Sequence, residues 1–150
     1  MLELNNLHPE FGVEILGIDL SMALEPNNFA QIELALERSS LVLFRNQVFD
    51  DDSQVAFSRR FGELEYDHVA YGRERKIRYI GYIGNVDEHG KQKSASHEQV
   101  VFSTGNEMWH SDSSFRPVPT RFSISYAYEV TPEGGELEFV STRSAYARLT

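Results

Sequence analysis

The chain has 150 residues, 41% of them hydrophobic and 12% aromatic, with a formal net charge of −9 and no cysteine. This composition excludes a disordered chain, and a domain of this size can bury roughly 68–70% of its unfolded surface. The acidic balance argues against nucleic acid or an anionic membrane as a general partner, and the lack of thiols excludes disulfides and thiolate metal sites.

The N-terminus, Met1-Leu2-Glu3-Leu4, lacks the basic-then-apolar form of a signal peptide. No apolar run nears the ~20 residues of a bilayer span, and a cytoplasmic protein is expected. Phe11 to Leu20 alternates in part and predicts a strand, with Gly12 and Gly17 as bulge points. Glu25-Pro26-Asn27-Asn28 starts a helix that carries Phe29, Ile32, Ala35 and Leu36 and ends near Ser39-Ser40. Leu41-Val42-Leu43-Phe44 is wholly apolar and reads as a buried strand. Asp50-Asp51-Asp52-Ser53 places negative charge at the start of the next helix, which closes at Phe61-Gly62. Three adjacent Asp on a turn seldom converge, so this run reads as a cap and not a metal site.

Glu63 to Arg75 looks irregular, and Lys76 to Ile83 predicts a strand through Ile77, Tyr79 and Ile83. Asn85 to Asn106 is polar and aperiodic. A loop of roughly 22 residues is long for a compact domain and reads either as a lid or as ordinary surface. Pro117 and Pro119 exclude a helix there, and Arg121 to Val130 alternates with Phe122, Ile124, Tyr126 and Tyr128 on one face. Glu133-Gly134-Gly135-Glu136 predicts a hairpin turn, Leu137, Phe139 and Val140 its return strand, and Thr142 a helix running to Leu149. A helix with no closing strands after it suggests an incomplete domain.

Chemistry concentrates at Trp109-His110-Ser111-Asp112-Ser113. In an extended backbone residues two apart share a face, so the His110 imidazole and the Asp112 carboxylate converge on one point. This is two thirds of a 2-His-1-carboxylate facial triad, the donor set of non-haem Fe(II) oxygenases. The triplet alone is a weak motif, and on spacing alone a solvated polar loop is the better reading. The same donors also suit Mn(II) or Zn(II). Trp109 and Phe115 flank the pair and read as core packing. Arg121, at a strand start, reads as a structural salt bridge or an anion ligand.

From Asn106 to Phe139 the chain resembles the taurine dioxygenase and 2,4-dichlorophenoxyacetate dioxygenase family of Fe(II)/2-oxoglutarate-dependent oxygenases. The residues that carry the likeness are Asn106, Trp109 to Phe115, Arg121, Pro132-Glu133-Gly134-Gly135 and Ala145-Tyr146. Gly17-Ile18-Asp19-Leu20, Leu41 to Gln47 and Arg60-Phe61-Gly62-Glu63-Leu64 agree in the same order. Trp-His-Ser-Asp-Ser-Ser-Phe is closer to the aryloxyacetate branch than to the taurine branch.

The resemblance implies an α+β chain, a double-stranded β-helix (jelly-roll) core with flanking helices. Residues 1–150 would be the N-terminal portion of a single dioxygenase domain, its C-terminal strands missing. It implies Fe(II) held by His110, Asp112 and a later His, with 2-oxoglutarate and O2 as co-substrates and succinate and CO2 as products. The partner is a small anionic organic substrate, aryloxyalkanoate-like or a sulfonate, contacted by Asn106 and by His68 and Tyr71 of a His-x-x-Tyr element. His68 reads equally as a surface-loop histidine. A homo-oligomer is left open.

The sequence departs from the pattern in three places. None of His8, His68, His89 or His97 sits in a context matching the distal His. The Arg that pairs with 2-oxoglutarate lies past Thr150 in the family order. Leu137 stands where the family has a Thr that hydrogen-bonds 2-oxoglutarate, so cofactor-binding residues are unknown. Two ligands rarely hold Fe(II) well, and the 150 residues alone are expected to be inactive. The competing readings are a truncated or degenerate non-catalytic member and a ligand-binding β-barrel protein.

Overall fold

The structure, a computed structural model, describes residues 1–65, 79–87 and 89–149. The chain forms two compact units, one from Met1–Ser53 with Tyr126–Thr150 and one from Gln54–Ser125.

The first unit is built on a three-stranded sheet. Strands β1 (Glu3–Asn6), β2 (Val13–Leu16) and β3 (Val42–Leu43) lie in that order. β1 pairs antiparallel with β2, Glu3 opposite Leu16 and Asn6 opposite Val13, and β2 pairs parallel with β3, Val13 opposite Val42. A parallel pair needs a long crossover, and helix α1 (Pro26–Ser39) supplies it. Pro26 suits the first helical turn, where its missing N–H is no loss. Ser40, left-handed at φ 64°, closes the helix by donating its N–H to the Leu36 carbonyl at 2.8 Å. The helix buries Phe29, Ile32 and Ala35, and Val13 and Ile15 are the buried residues of β2. Ile32 is 1% exposed. Glu14, between the two apolar residues of β2, is also buried and pairs with Arg45 at 3.1 Å.

The predicted strand over 11–20 shortens to four residues because Gly12 (φ 81°) and Gly17 (φ 68°) end it and do not bulge it. β1 has no strand-forming pattern; its Glu-Leu-Asn-Asn becomes a strand because β2 offers it an edge. The Leu41–Phe44 run is half-buried, not fully buried, and only Val42 and Leu43 join the ladder. Gln47 stitches the loops around this sheet: it accepts from Leu20 N–H at 2.8 Å and donates to the Ile18 and Arg45 carbonyls, both at 2.9 Å.

The same unit receives the chain's last segment. Tyr126 places its hydroxyl between the Phe49 N–H (3.4 Å) and the Gln47 carbonyl (3.3 Å). Helix α4 (Thr142–Ala147) starts at Ser141, whose hydroxyl accepts from Ser144 N–H at 3.1 Å, and it stops short of the predicted Leu149. Arg143 donates to the Glu37 and Arg38 carbonyls, setting a cation on the negative end of α1.

Helix α2 (Asp51–Arg59) leads into the second unit. As the acidic run predicts, Asp50 caps it, accepting from Ser53 N–H at 2.7 Å. Hydrogen bonding from the Ser53 side chain, and then from its backbone N–H, holds the Asp50 carboxyl below the usual carboxylate range. Gln54, Val55 and Phe57 are its buried residues. Beyond it, Tyr79–Ile83 forms no strand, although Ile80 is buried, and Lys76–Arg78 lies outside the described residues. The Asn85–Asn106 stretch is not a plain loop. Val86 and Gln92 form a bridge around Gly90, and α3 (Glu98–Ser103) runs into a 3-10 turn, Thr104–Glu107. Six residues are too few to register a 3.6-residue period, and the cap is His97, whose ring nitrogen accepts from Gln99 N–H.

The predicted strands over 121–130 and 137–140 do not pair with any described residue. In the first, the alternation survives as burial as far as Tyr126: Phe122, Ile124 and Tyr126 are half-buried, residues 121, 123, 125 and 127 are exposed, and Tyr128 is exposed against expectation; residues 137–140 are all exposed. Between them Gly134 and Gly135 are both at φ 74°, the left-handed side that a two-residue primed turn requires, but the segment is a bend and not a hydrogen-bonded hairpin turn. Among the described residues the fold is therefore a small mixed sheet with helices.

Candidate metal centre

The 3-10 turn ends at Met108, whose extended backbone (φ −87°, ψ 145°) turns its carbonyl toward the His110 ring. His110 Nδ1 lies 2.7 Å from that carbonyl oxygen. A carbonyl only accepts, so Nδ1 carries the proton and donates it. Nε2 is turned the other way, 3.3 Å from Asp112 Oδ1. The second carboxylate oxygen, Oδ2, accepts from the Ser123 hydroxyl at 2.6 Å. The stretch is not a strand: Trp109–Ser111 is irregular and a turn begins at Asp112. The two side chains nevertheless converge as the extended reading requires.

The chain reverses directly after the pair. Ser113 sits at φ 54°, a left-handed conformation uncommon for a residue with a Cβ. Its hydroxyl donates to Glu65 Oε2 at 2.9 Å, and Arg116 pairs with the other Glu65 oxygen. Glu65, at 24% exposure, thus ties down both ends of the turn that holds Asp112.

An imidazole nitrogen and a carboxylate oxygen 3.3 Å apart are spaced so that one metal cation could lie against both. Donors bonded to one cation at ~2.0–2.2 Å and roughly at right angles stand about 3 Å apart, near the spacing seen. The Nδ1–H bond to a backbone carbonyl is the usual second partner of a ligating His. Among the described residues no group of three or more His, Cys, Asp or Glu is placed to hold a metal. The pair is open, with His110 and Asp112 side chains 47% and 55% exposed.

The core packing expected of Trp109 and Phe115 does not occur. They are 67% and 80% exposed, although Arg116 lies over the Phe115 ring at 5.8 Å. Arg121 lies over Phe122 at 4.8 Å. A cavity of about 460 Å³ in this unit is lined by Asp112, Phe115, Arg121, Phe61, Tyr79 and Gln54, among others. Asn106 is exposed on the 3-10 turn. Leu137 is 77% exposed. His68 and Tyr71 lie outside the described residues.

Sequence reasoning missed Met108, Ser123 and Glu65. Ser123 had a signal, since the period-2 pattern sets it on the face opposite Phe122 and Ile124. Glu65 had none, being 48 positions from Ser113.

A His and an Asp one residue apart, aimed at one point and each held by an outer partner, have the donor types that make up two thirds of a mononuclear 2-His-1-carboxylate set. The chain belongs to the taurine catabolism dioxygenase TauD, TfdA family, which it matches over residues 3–150. It is 37% identical over 148 residues to an alpha-ketoglutarate-dependent 2,4-dichlorophenoxyacetate dioxygenase of Cupriavidus pinatubonensis, covering 97% of this chain and 52% of that one. It is 29% identical over 145 residues to an (S)-phenoxypropionate/alpha-ketoglutarate-dioxygenase of Sphingobium herbicidovorans, covering 95% and 46%. The chain thus spans about half the length of these relatives. The crystal structure of AAD-2 in complex with Mn(II) and N-oxalylglycine superposes with a TM-score of 0.67 at 28% identity, over 79% of this chain and 39% of that one.

Proposed function

We propose that this chain is the N-terminal portion of a single-domain Fe(II)/2-oxoglutarate-dependent dioxygenase with a jelly-roll core. It hydroxylates a small anionic substrate, aryloxyalkanoate-like or a sulfonate. The observation that carries the reading is the convergence of His110 Nε2 and Asp112 Oδ1 with the other ring nitrogen already satisfied by Met108. His110 and Asp112 are two metal ligands; a second His and the Arg that pairs with 2-oxoglutarate come from outside these residues. The relatives' names supply the co-substrate. N-oxalylglycine, held with Mn(II) in AAD-2, differs from 2-oxoglutarate by an NH in place of a CH2.

The metal, when bound, would supply the activation of O2 that couples decarboxylation of 2-oxoglutarate to hydroxylation. One oxygen atom ends in succinate, the other in the substrate C–OH, and CO2 leaves. The chain's own residues prepare this. The Met108 carbonyl keeps the proton on Nδ1, so that Nε2 presents its lone pair. Glu65 fixes the turn through Ser113 and Arg116. The cavity sets aromatic walls, Phe61, Tyr79 and Phe115, beside the cation of Arg121, with Asp112, Glu63 and Glu65 also on its lining; its walls and Arg121 are the parts suited to an aromatic carboxylate. Asn106, His68 and Tyr71 are the proposed substrate contacts.

Leu137 favours a second reading, a degenerate member that keeps the fold and binds ligand without turnover, since leucine cannot donate the bond expected of Thr. Anaerobic calorimetry with Fe(II), with and without 2-oxoglutarate, on the full-length protein and its Asp112→Ala variant separates them. Tight iron binding lost in the variant, with 2-oxoglutarate binding to the iron form, is expected. Iron binding equal in both proteins would overturn the oxygenase reading.

A further inference from the structure

We propose that Ser123 is a positioning residue that assigns different tasks to the two oxygens of Asp112, holding Oδ2 so that Oδ1 alone faces the metal. The inference rests on the metal-centre reading above and deepens it. A free carboxylate has two equivalent oxygens and can turn either, or both, toward a cation. Here they are not equivalent: Oδ2 accepts the Ser123 hydroxyl at 2.6 Å, and Oδ1 lies 3.3 Å from His110 Nε2. An O–H···O⁻ contact of this length is in the charge-assisted range, among the stronger hydrogen bonds a side chain makes. It withdraws charge from Oδ2 and fixes the plane of the carboxylate.

Ser123 is itself held from both sides. Phe122 packs edge-on against Phe61 with ring centroids 5.3 Å apart, and the Ile124 carbonyl accepts from Gln54 Nε2 at 3.2 Å. Gln54 is buried on α2, so the helix fixes the extended backbone on which Ser123 rides. The alternation of that backbone turns Phe122 and Ile124 to the protein and Ser123 to Asp112. With Met108 behind the His110 ring and Ser123 behind Asp112, each ligand of the pair has its non-coordinating atom occupied.

The test is metal binding, not turnover. The full-length protein, Ser123→Ala, Ser123→Thr and Asp112→Ala are titrated anaerobically with Fe(II) by calorimetry and with Co(II) by visible absorption. Ser123→Ala is expected to bind roughly 10–100-fold more weakly, the usual effect of losing an outer partner. Its Co(II) bands shift as the freed carboxylate binds through both oxygens. Ser123→Thr, which keeps the hydroxyl, restores affinity and spectrum. Ser123 is exposed, so all variants fold with unchanged circular dichroism. If Ser123→Ala binds like the parent while Asp112→Ala loses the metal, the centre stands and the role of Ser123 is refuted. If Ser123→Thr fails to restore binding, the hydroxyl is not the cause and the proposal fails. If Asp112→Ala binds like the parent, the metal-centre reading falls and takes this inference with it.

Discussion

The stretch from Val13 to Leu43 and the stretch from Arg121 to Val140 are made of similar material and end in different states. In the first, β2 is paired on both edges, by β1 and β3, and α1 packs Ile32 and Phe29 into the interior. In the second, apolar residues alternate, the glycine turn takes its left-handed shape, and no ladder forms among the described residues. Leu137 and Val140 stay 77% and 65% exposed. The difference lies in where hydrogen-bond partners come from. A helix carries its own, four residues away; a strand must borrow them from another segment. Alternation therefore sets which side chains face inward, and only a neighbour makes the strand.

The strongest way to test this contrast is at its best-packed point. Ile32→Ala, at a site 1% exposed, should destabilise the first unit by about 2–5 kcal/mol, read as a lower midpoint in denaturant unfolding. A loss below about 1 kcal/mol would mean the sheet–helix interior is not the seat of stability. Leu137→Thr probes the opposite end of the comparison. At an exposed side chain it should change stability by no more than about 0.5 kcal/mol. In the full-length protein it should tighten 2-oxoglutarate binding about tenfold or more, since a hydrogen bond to a charged group is worth about 1.5–3 kcal/mol. Unchanged affinity by calorimetry would show that another residue already makes the bond.

The smallest effect is a matter of pH. Asp50 is held below its ordinary range by its hydrogen bonds from Ser53. A carboxyl lowered in the folded state stabilises above its unfolded value, and that stability is lost as pH falls through the folded one. Replacing Asp50 with Asn keeps a cap and removes the titration. The parent should therefore lose more thermal stability than Asp50→Asn between about pH 5 and about pH 2. Parallel curves would remove Asp50 from the acid response.

These contrasts also explain what the sequence disclosed. α1 and α2 were legible because Phe29, Ile32 and Ala35, and the Asp50 cap, are local signals. The His110–Asp112 convergence was legible because it needs only two residues of backbone. β1 was not, since its reason for being a strand is the edge of β2. α3 was not, being six residues long with a His cap. Glu65 was not, because its grip on Ser113 and Arg116 exists only after folding. The exposure of Trp109 and Phe115 has the same root: an apolar residue declares that it wants cover and not which segment provides it.

The clasp at Tyr126 has a topological consequence. Its ring stands 5.8 Å from that of Phe49, and its hydroxyl lies within reach of the Phe49 backbone, 77 positions away in the chain. Within the first unit the polypeptide therefore leaves and returns at one spot. Closure entropy grows with the logarithm of loop length, so even doubling the stretch between would add only about 0.6 kcal/mol. A change in the length of the chain between Phe49 and Tyr126 should therefore cost the first unit's sheet little in closure entropy.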